Sequence, residues 1–126
     1  MHSQAFLWAL LGFTSLAFAL PIFLAPLAWA RWFRWRMPKE PDGRNLAIYF
    51  GRCLGAFVLI IELLMLRAAL NGEGLVYTYQ VLLAVAALMV VVHIQGAIQR
   101  IQPITETLEI GMYAGLGLLA LLFSPA

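Results

Sequence analysis

Apolar positions in this chain gather into four long runs, and polar positions are confined to the short stretches between them. The runs are Ala5–Trp29, Leu46–Leu70, Val76–Ala97 and Ile104–Phe123. Each is about long enough to cross the hydrocarbon core of a bilayer, which takes roughly 20 residues of helix. In hydrocarbon the backbone must satisfy its own hydrogen bonds, so each run is expected to be a helix. The fold class read from this pattern is all-α, a four-helix transmembrane bundle forming one domain over residues 1–126, with both termini outside (N-out/C-out). The spans are expected at about 5–29, 46–70, 76–97 and 104–123, with a cytoplasmic basic loop at 30–45. Pro21 and Pro26 each remove a helix hydrogen bond and are expected to kink the first span. Met37–Arg44, with two prolines, a glycine and mixed charge, reads as an irregular connector, and the second helix is expected to begin near Asn45. Asn71–Gly74 reads as a tight turn that makes its two helices antiparallel neighbours.

Composition agrees with this reading: 63% of residues are hydrophobic and 11% are charged, against about half and a quarter in soluble domains. With 126 residues so composed, no catalytic domain outside the membrane is expected. Charge distribution sets the expected orientation. Arg31, Arg34, Arg36, Lys39 and Arg44 fall between the first two runs and Arg100 between the last two, whereas the Asn71–Gly74 turn carries no Lys or Arg. Positive loops stay on the cytoplasmic side. The first run has no Lys or Arg before it and the strongest positive cluster after it, the reverse of a signal peptide, so a retained span is expected. The expected location is a bacterial inner membrane, multi-pass. Cys53 is the only cysteine and reads as a packing residue.

The segment from Trp29 through Arg31, Trp32, Arg34, Trp35 and Arg36 interleaves indole rings with guanidinium groups. It reads as an interfacial anchor on anionic lipid headgroups, with a partner's acidic loop as the alternative and nucleic acid not expected.

Ionisable groups inside apolar runs are costly and point to function by default. Arg52, Glu62, His93, Glu106 and Glu109 are of this kind. Helical rise of about 1.5 Å per residue puts Arg52, His93, Glu106 and Glu109 at one level near the basic-loop side. Phase puts Glu106, Glu109 and Tyr113 on one face of the last helix. Two readings follow: a structural layer in which Arg52 neutralises Glu106 or Glu109 and His93 bonds to one of them, or a binding pocket formed by Arg52, Glu62, His93, Glu106, Glu109 and Tyr113. Glu62 stands apart, with Tyr79, Gln80 or Arg67 as expected partners. No metal site, cofactor or catalytic constellation is expected: the ligand spacing of a motif such as His-Glu-x-x-His is absent, and His93 is the only histidine within a run.

The plan resembles small four-helix bacterial membrane families, DoxX-like proteins among them, in size, topology and the arginine within Gly51-Arg52-Cys53-Leu54-Gly55. No function is transferred from that resemblance. The leading functional expectation is an accessory subunit packed on a larger membrane complex, and the expected partner is a membrane protein or, for the alternative that follows, further copies of the chain. The alternative is a small transporter or a ligand- or proton-binding bundle, with a quinone-linked or pigment-binding component ranked last.

Overall fold

A computed structural model describes residues 2–125. The described residues form helices α1 (His2–Thr14), α2 (Leu20–Leu24), α3 (Pro26–Trp32), α4 (Pro41–Asn71), α5 (Leu75–Gln99) and α6 (Ile104–Phe123), with a π-helical turn, Ser15–Ala19, joining α1 to α2. There are no strands among them. The stretch His2–Leu24 and helices α4, α5 and α6 are each long and apolar enough to cross a membrane, consistent with a multi-pass membrane protein.

The four spans divide into two pairs. The first span lies along α4, and α5 lies along α6. Although α4 and α5 are joined by a short turn, they pack sparingly against each other. The turn itself depends on glycine: Gly72 and Gly74 both take left-handed backbone, at φ 76° and 68°, which side chains other than glycine rarely tolerate.

At the turn end the pairs are locked together. Ser3 Oγ donates to the Phe123 carbonyl at 2.7 Å, the Tyr79 hydroxyl donates to the Ser3 carbonyl at 2.6 Å, and Gln4 Nε2 reaches the Ala68 and Ala69 carbonyls at 3.2 Å each. Four spans are thereby tied through one short segment of α1. Phe6 stacks on Phe123 with centroids 5.0 Å apart. Leu7, Leu10, Met65, Ala68, Ala69, Tyr79 and Ala120 form the buried core there.

At the other end the first span is reshaped by its prolines. Pro21 has no N–H, so the carbonyl four residues earlier, that of Ala17, loses its α-helical donor. The backbone widens into the π-turn, with the Leu20 N–H donating to Ser15. Trp29 Nε1 then folds back and donates to the Ala17 carbonyl at 2.8 Å. Pro26 breaks the helix again at Ala25 (φ −146°, ψ 68°). The sequence-based expectation of a kink is therefore met by a π-turn and a break. Trp29, grouped with the interfacial anchor residues, faces inward and stacks on Phe33 at 4.6 Å. Trp29→Phe keeps an aromatic ring, though a smaller one, and deletes the donor. It is expected to lower stability by about 1 kcal/mol, measured as a lowered midpoint of thermal unfolding in detergent.

Trp32, Arg31, Arg34 and Arg36 are exposed, and Trp35 is half-buried. Arg34 closes α3 in left-handed conformation (φ 67°), which lets the Trp35 N–H donate to the Ala30 carbonyl at 2.9 Å. The second long helix begins at Pro41, not near Asn45. Proline with its preset φ suits a first helical turn, and Asp42 in that turn complements the positive end of the helix dipole. The residues that looked irregular, Pro41 to Arg44, are thus the start of α4. That helix has 31 residues and rises about 46 Å, more than a hydrocarbon core of about 30 Å, so its polar start extends past the apolar layer.

Candidate functional site

Between the two helix pairs lies a partly open cavity of about 320 Å³, within the size range of small-molecule sites. All four spans contribute to its walls: Leu10, Thr14, Phe18 and Ile22 from the first, Val58, Ile61, Glu62 and Met65 from α4, Val85, Ala86, Met89 and His93 from α5, and Glu106, Glu109, Tyr113 and Leu116 from α6. Leu54 and Phe57 of α4 and Leu88 of α5 also line it while being 46%, 66% and 64% exposed. Its mouth therefore opens between α4 and α5, where these helices separate.

Most of the wall is apolar, and the polar groups are grouped at two places. His93 on α5 meets Glu106 and Glu109 on α6. The three residues sit at 4%, 8% and 6% residual exposure. Helical phase accounts for the pairing of the acids: positions three apart share a face. Glu106 lies in the first turn of α6, where a carboxylate is favoured by the dipole. His93 is set seven residues before Arg100, the residue that caps α5 in left-handed conformation. Gln102 in the connecting loop fixes this corner, with Nε2 donating to the His93 carbonyl at 2.8 Å and to Thr107 Oγ1 at 3.1 Å. The Thr105 hydroxyl donates to the Phe33 carbonyl and ties the start of α6 to the basic loop.

The imidazole is oriented by its backbone. His93 Nδ1 lies 2.6 Å from the Met89 carbonyl. A carbonyl only accepts, so Nδ1 carries the hydrogen and, in the neutral ring, Nε2 presents its lone pair. That atom faces the acids, at 3.4 Å from Glu106 Oε1 and 3.9 Å from Glu109 Oε1. Both separations exceed a normal N–H···O hydrogen bond of about 2.7–3.2 Å. The two carboxyl groups lie against each other, and the Oε2 atom of each is buried without a hydrogen-bond partner. The Tyr113 ring stands 5.2 Å from the His93 ring. One nitrogen and two carboxylate oxygens from this trio come within 4.8 Å of one another.

Glu62 forms the second polar place. Its Oε2 lies 2.6 Å from Thr14 Oγ1 and 2.8 Å from Ser15 Oγ. Neighbouring residues on an α-helix point about 100° apart, yet both hydroxyls converge here, where the backbone passes into the π-turn. Thr14 Oγ1 is also 2.9 Å from the Leu10 carbonyl and has one hydrogen to give. It either donates to an ionised Glu62, or donates to Leu10 and accepts from a protonated one. The arrangement serves both states.

The structure thus brings together five of the six pocket residues read from the sequence: Glu62, His93, Glu106, Glu109 and Tyr113. Arg52 is not among them. It is exposed, forms no ion pair among the described residues, and does not neutralise Glu106 or Glu109. The reason is azimuthal. Arg52 lies about 80° around α4 from Glu62, and the buried stripe runs through Gly55, Glu62 and Met65. Glu62 also departs from its expected partners: Tyr79 bonds to Ser3, Gln80 is exposed, and Arg67 lies 3.8 Å from Glu73. Sequence reasoning missed Thr14 and Ser15, whose hydroxyls can be satisfied by their own helix and so give no outward sign of a partner.

Comparison with protein-family models, with curated proteins and with solved structures finds no match, so the functional reading rests on this geometry.

Proposed function

We propose that this protein is a cation-binding membrane bundle, with His93, Glu106 and Glu109 as the site. The observation that carries this is the charge of the cavity wall. It holds three carboxyl groups and one imidazole, with no Lys or Arg among the lining residues, and two of its carboxyl oxygens are buried without a partner. A charged side chain within a span is costly, up to about 3 kcal/mol at the helix centre on insertion scales. Without a neighbouring guanidinium to offset it, a bound positive charge is the compensating partner the geometry favours. The apolar remainder of the cavity and its mouth between α4 and α5 suit entry from the bilayer or residence of an organic cation. The charge of the 30–45 loop supports a position toward the cytoplasmic side.

An accessory subunit on a larger complex would need no charge in its interior. Its needs are met by exposed apolar faces, which lipid contact alone explains here. The buried acids favour the cation reading.

The test is thermal unfolding in detergent with a panel of cations: sodium, magnesium, manganese, zinc and a lipophilic amine. At least one should raise the unfolding midpoint of the wild-type chain by mass action, an increase of about 2.7 kcal/mol at a hundredfold excess over Kd. The Glu106→Gln/Glu109→Gln variant should lose that response and Glu73→Gln should keep it. No response to any member of the panel, or an equal response in the double variant, overturns the proposal.

A further inference from the structure

We infer that the cation is a divalent first-row transition metal, held by His93 Nε2 and one oxygen each from Glu106 and Glu109. This rests on the cation-binding reading and narrows it. The distances are the first argument. At metal–ligand bonds of about 2.0–2.2 Å, tetrahedral ligand atoms stand roughly 3.3–3.6 Å apart. His93 Nε2 and Glu106 Oε1 are separated by 3.4 Å, too far for a hydrogen bond and right for two ligands of one ion. Glu109 Oε1, at 3.9 Å, closes the remainder by a small change in its side-chain torsions.

The ligands are also prepared for a metal. Metal-bound histidines typically donate their other ring nitrogen to a carbonyl or carboxylate, which fixes the tautomer and the ring. His93 does this through Nδ1 to Met89. The unpartnered, buried Oε2 atoms of Glu106 and Glu109 leave each carboxylate short of the partner that a metal ion would supply. One imidazole and two carboxylates balance a divalent charge. This mixed donor set suits zinc, manganese or ferrous iron better than the all-oxygen sets of magnesium and calcium. Three protein ligands leave one position facing the cavity, the open coordination seen in metal sites that take a substrate or water. The three ligands come from two helices, and the spacing from His93 to Glu106 spans a loop, which is why no linear motif announces them.

The experiment is cobalt(II) titration of the chain, purified in detergent without a polyhistidine tag and stripped with a chelator. Equilibrium dialysis should show one cobalt per chain, with visible d–d absorption of a low-coordinate site. His93→Gln should weaken binding by about tenfold or more, whereas His2→Gln, at the exposed amino-terminal end, should leave it unchanged. Should His93→Gln fail to fold, X-ray absorption of zinc-loaded wild-type chain decides. One imidazole nitrogen with oxygen neighbours supports the site, and an all-oxygen shell or more than one imidazole overturns it. Cobalt binding that follows His2, or no uptake at all, also overturns it. If cobalt and zinc fail while the lipophilic amine still stabilises the wild-type chain and not the Glu106→Gln/Glu109→Gln variant, the metal assignment falls and the cation-binding reading stands. If neither metal nor amine acts, both fall.

Discussion

Glu106→Leu combined with Glu109→Leu is expected to make the cation-free protein more stable, by about 1–4 kcal/mol, while abolishing cation binding. The argument is one of cost. Buried ionisable groups forfeit solvation, and well-packed apolar replacements of similar volume are often neutral or stabilising by that amount. Here the loss is offset poorly. Among the described residues no guanidinium or ammonium reaches Glu106 or Glu109, His93 Nε2 stands beyond hydrogen-bond distance of both, and each acid has an oxygen without a partner. A group retained for ligand binding is expected to behave in this way, stability being given up for function. A layer retained to set helix register would behave oppositely, because removing one side of a satisfied buried pair costs about 3–5 kcal/mol. Chemical or thermal unfolding in a chelator-containing detergent buffer separates the two by sign, which makes the comparison robust to its magnitude.

Gly55→Ala is expected to be the most damaging of the conservative substitutions, destabilising by about 3 kcal/mol, the upper part of the range for overpacking. A Cβ at Gly55 would lie 2.6 Å from both the nitrogen and the Cα of Phe23. The obstacle is backbone, so no rotamer change relieves it. The first span must move off α4, and with it Thr14 and Ser15 would leave Glu62. Gly51 makes a similar close approach to Pro26, so the pair Gly51 and Gly55 is the surface on which the broken end of the first span rests. Small residues four apart allow helices to meet this closely. Gly115→Ala is the matched control. Nothing lies within 4 Å of a Cβ there, and replacing a helical glycine gains up to about 1 kcal/mol. Far-UV circular dichroism melts of the two variants should diverge in opposite directions from wild type.

How far the sequence alone reaches differs from residue to residue. The four spans were legible because length and hydropathy decide them. The meeting of His93, Glu106 and Glu109 was legible too, since depth follows from counting residues and the short loop at Arg100 to Pro103 forces α5 and α6 together. Arg52 shared that depth but not the azimuth, and depth alone cannot distinguish a buried stripe from its flank. The pairing of the first span with α4 was written in Gly51 and Gly55, but small residues four apart are frequent in apolar helices and also occur at Gly111 and Gly115, where nothing packs closely. Only the location of Phe23 and Pro26 tells the two pairs apart. The partner of Glu62 was hidden for a different reason. Thr14 bonds to Leu10 within its own helix, so its presence signals no long-range contact, and the convergence of Thr14 and Ser15 accompanies a π-turn that Pro21 provokes several residues later. The apolar extent of the cavity and its mouth were not legible, because they arise where α4 and α5 fail to pack, and a missing contact leaves no mark in a pattern of apolar positions.

Diffraction from crystals soaked with zinc(II), recorded above its absorption edge so that the anomalous signal locates the ion, tests the central claim most directly. The account predicts the strongest anomalous peak inside the cavity, within bonding distance of the Glu106 and Glu109 carboxylates. Peaks confined to exposed acids such as Glu40, Asp42 and Glu73, with none between α5 and α6, would contradict it.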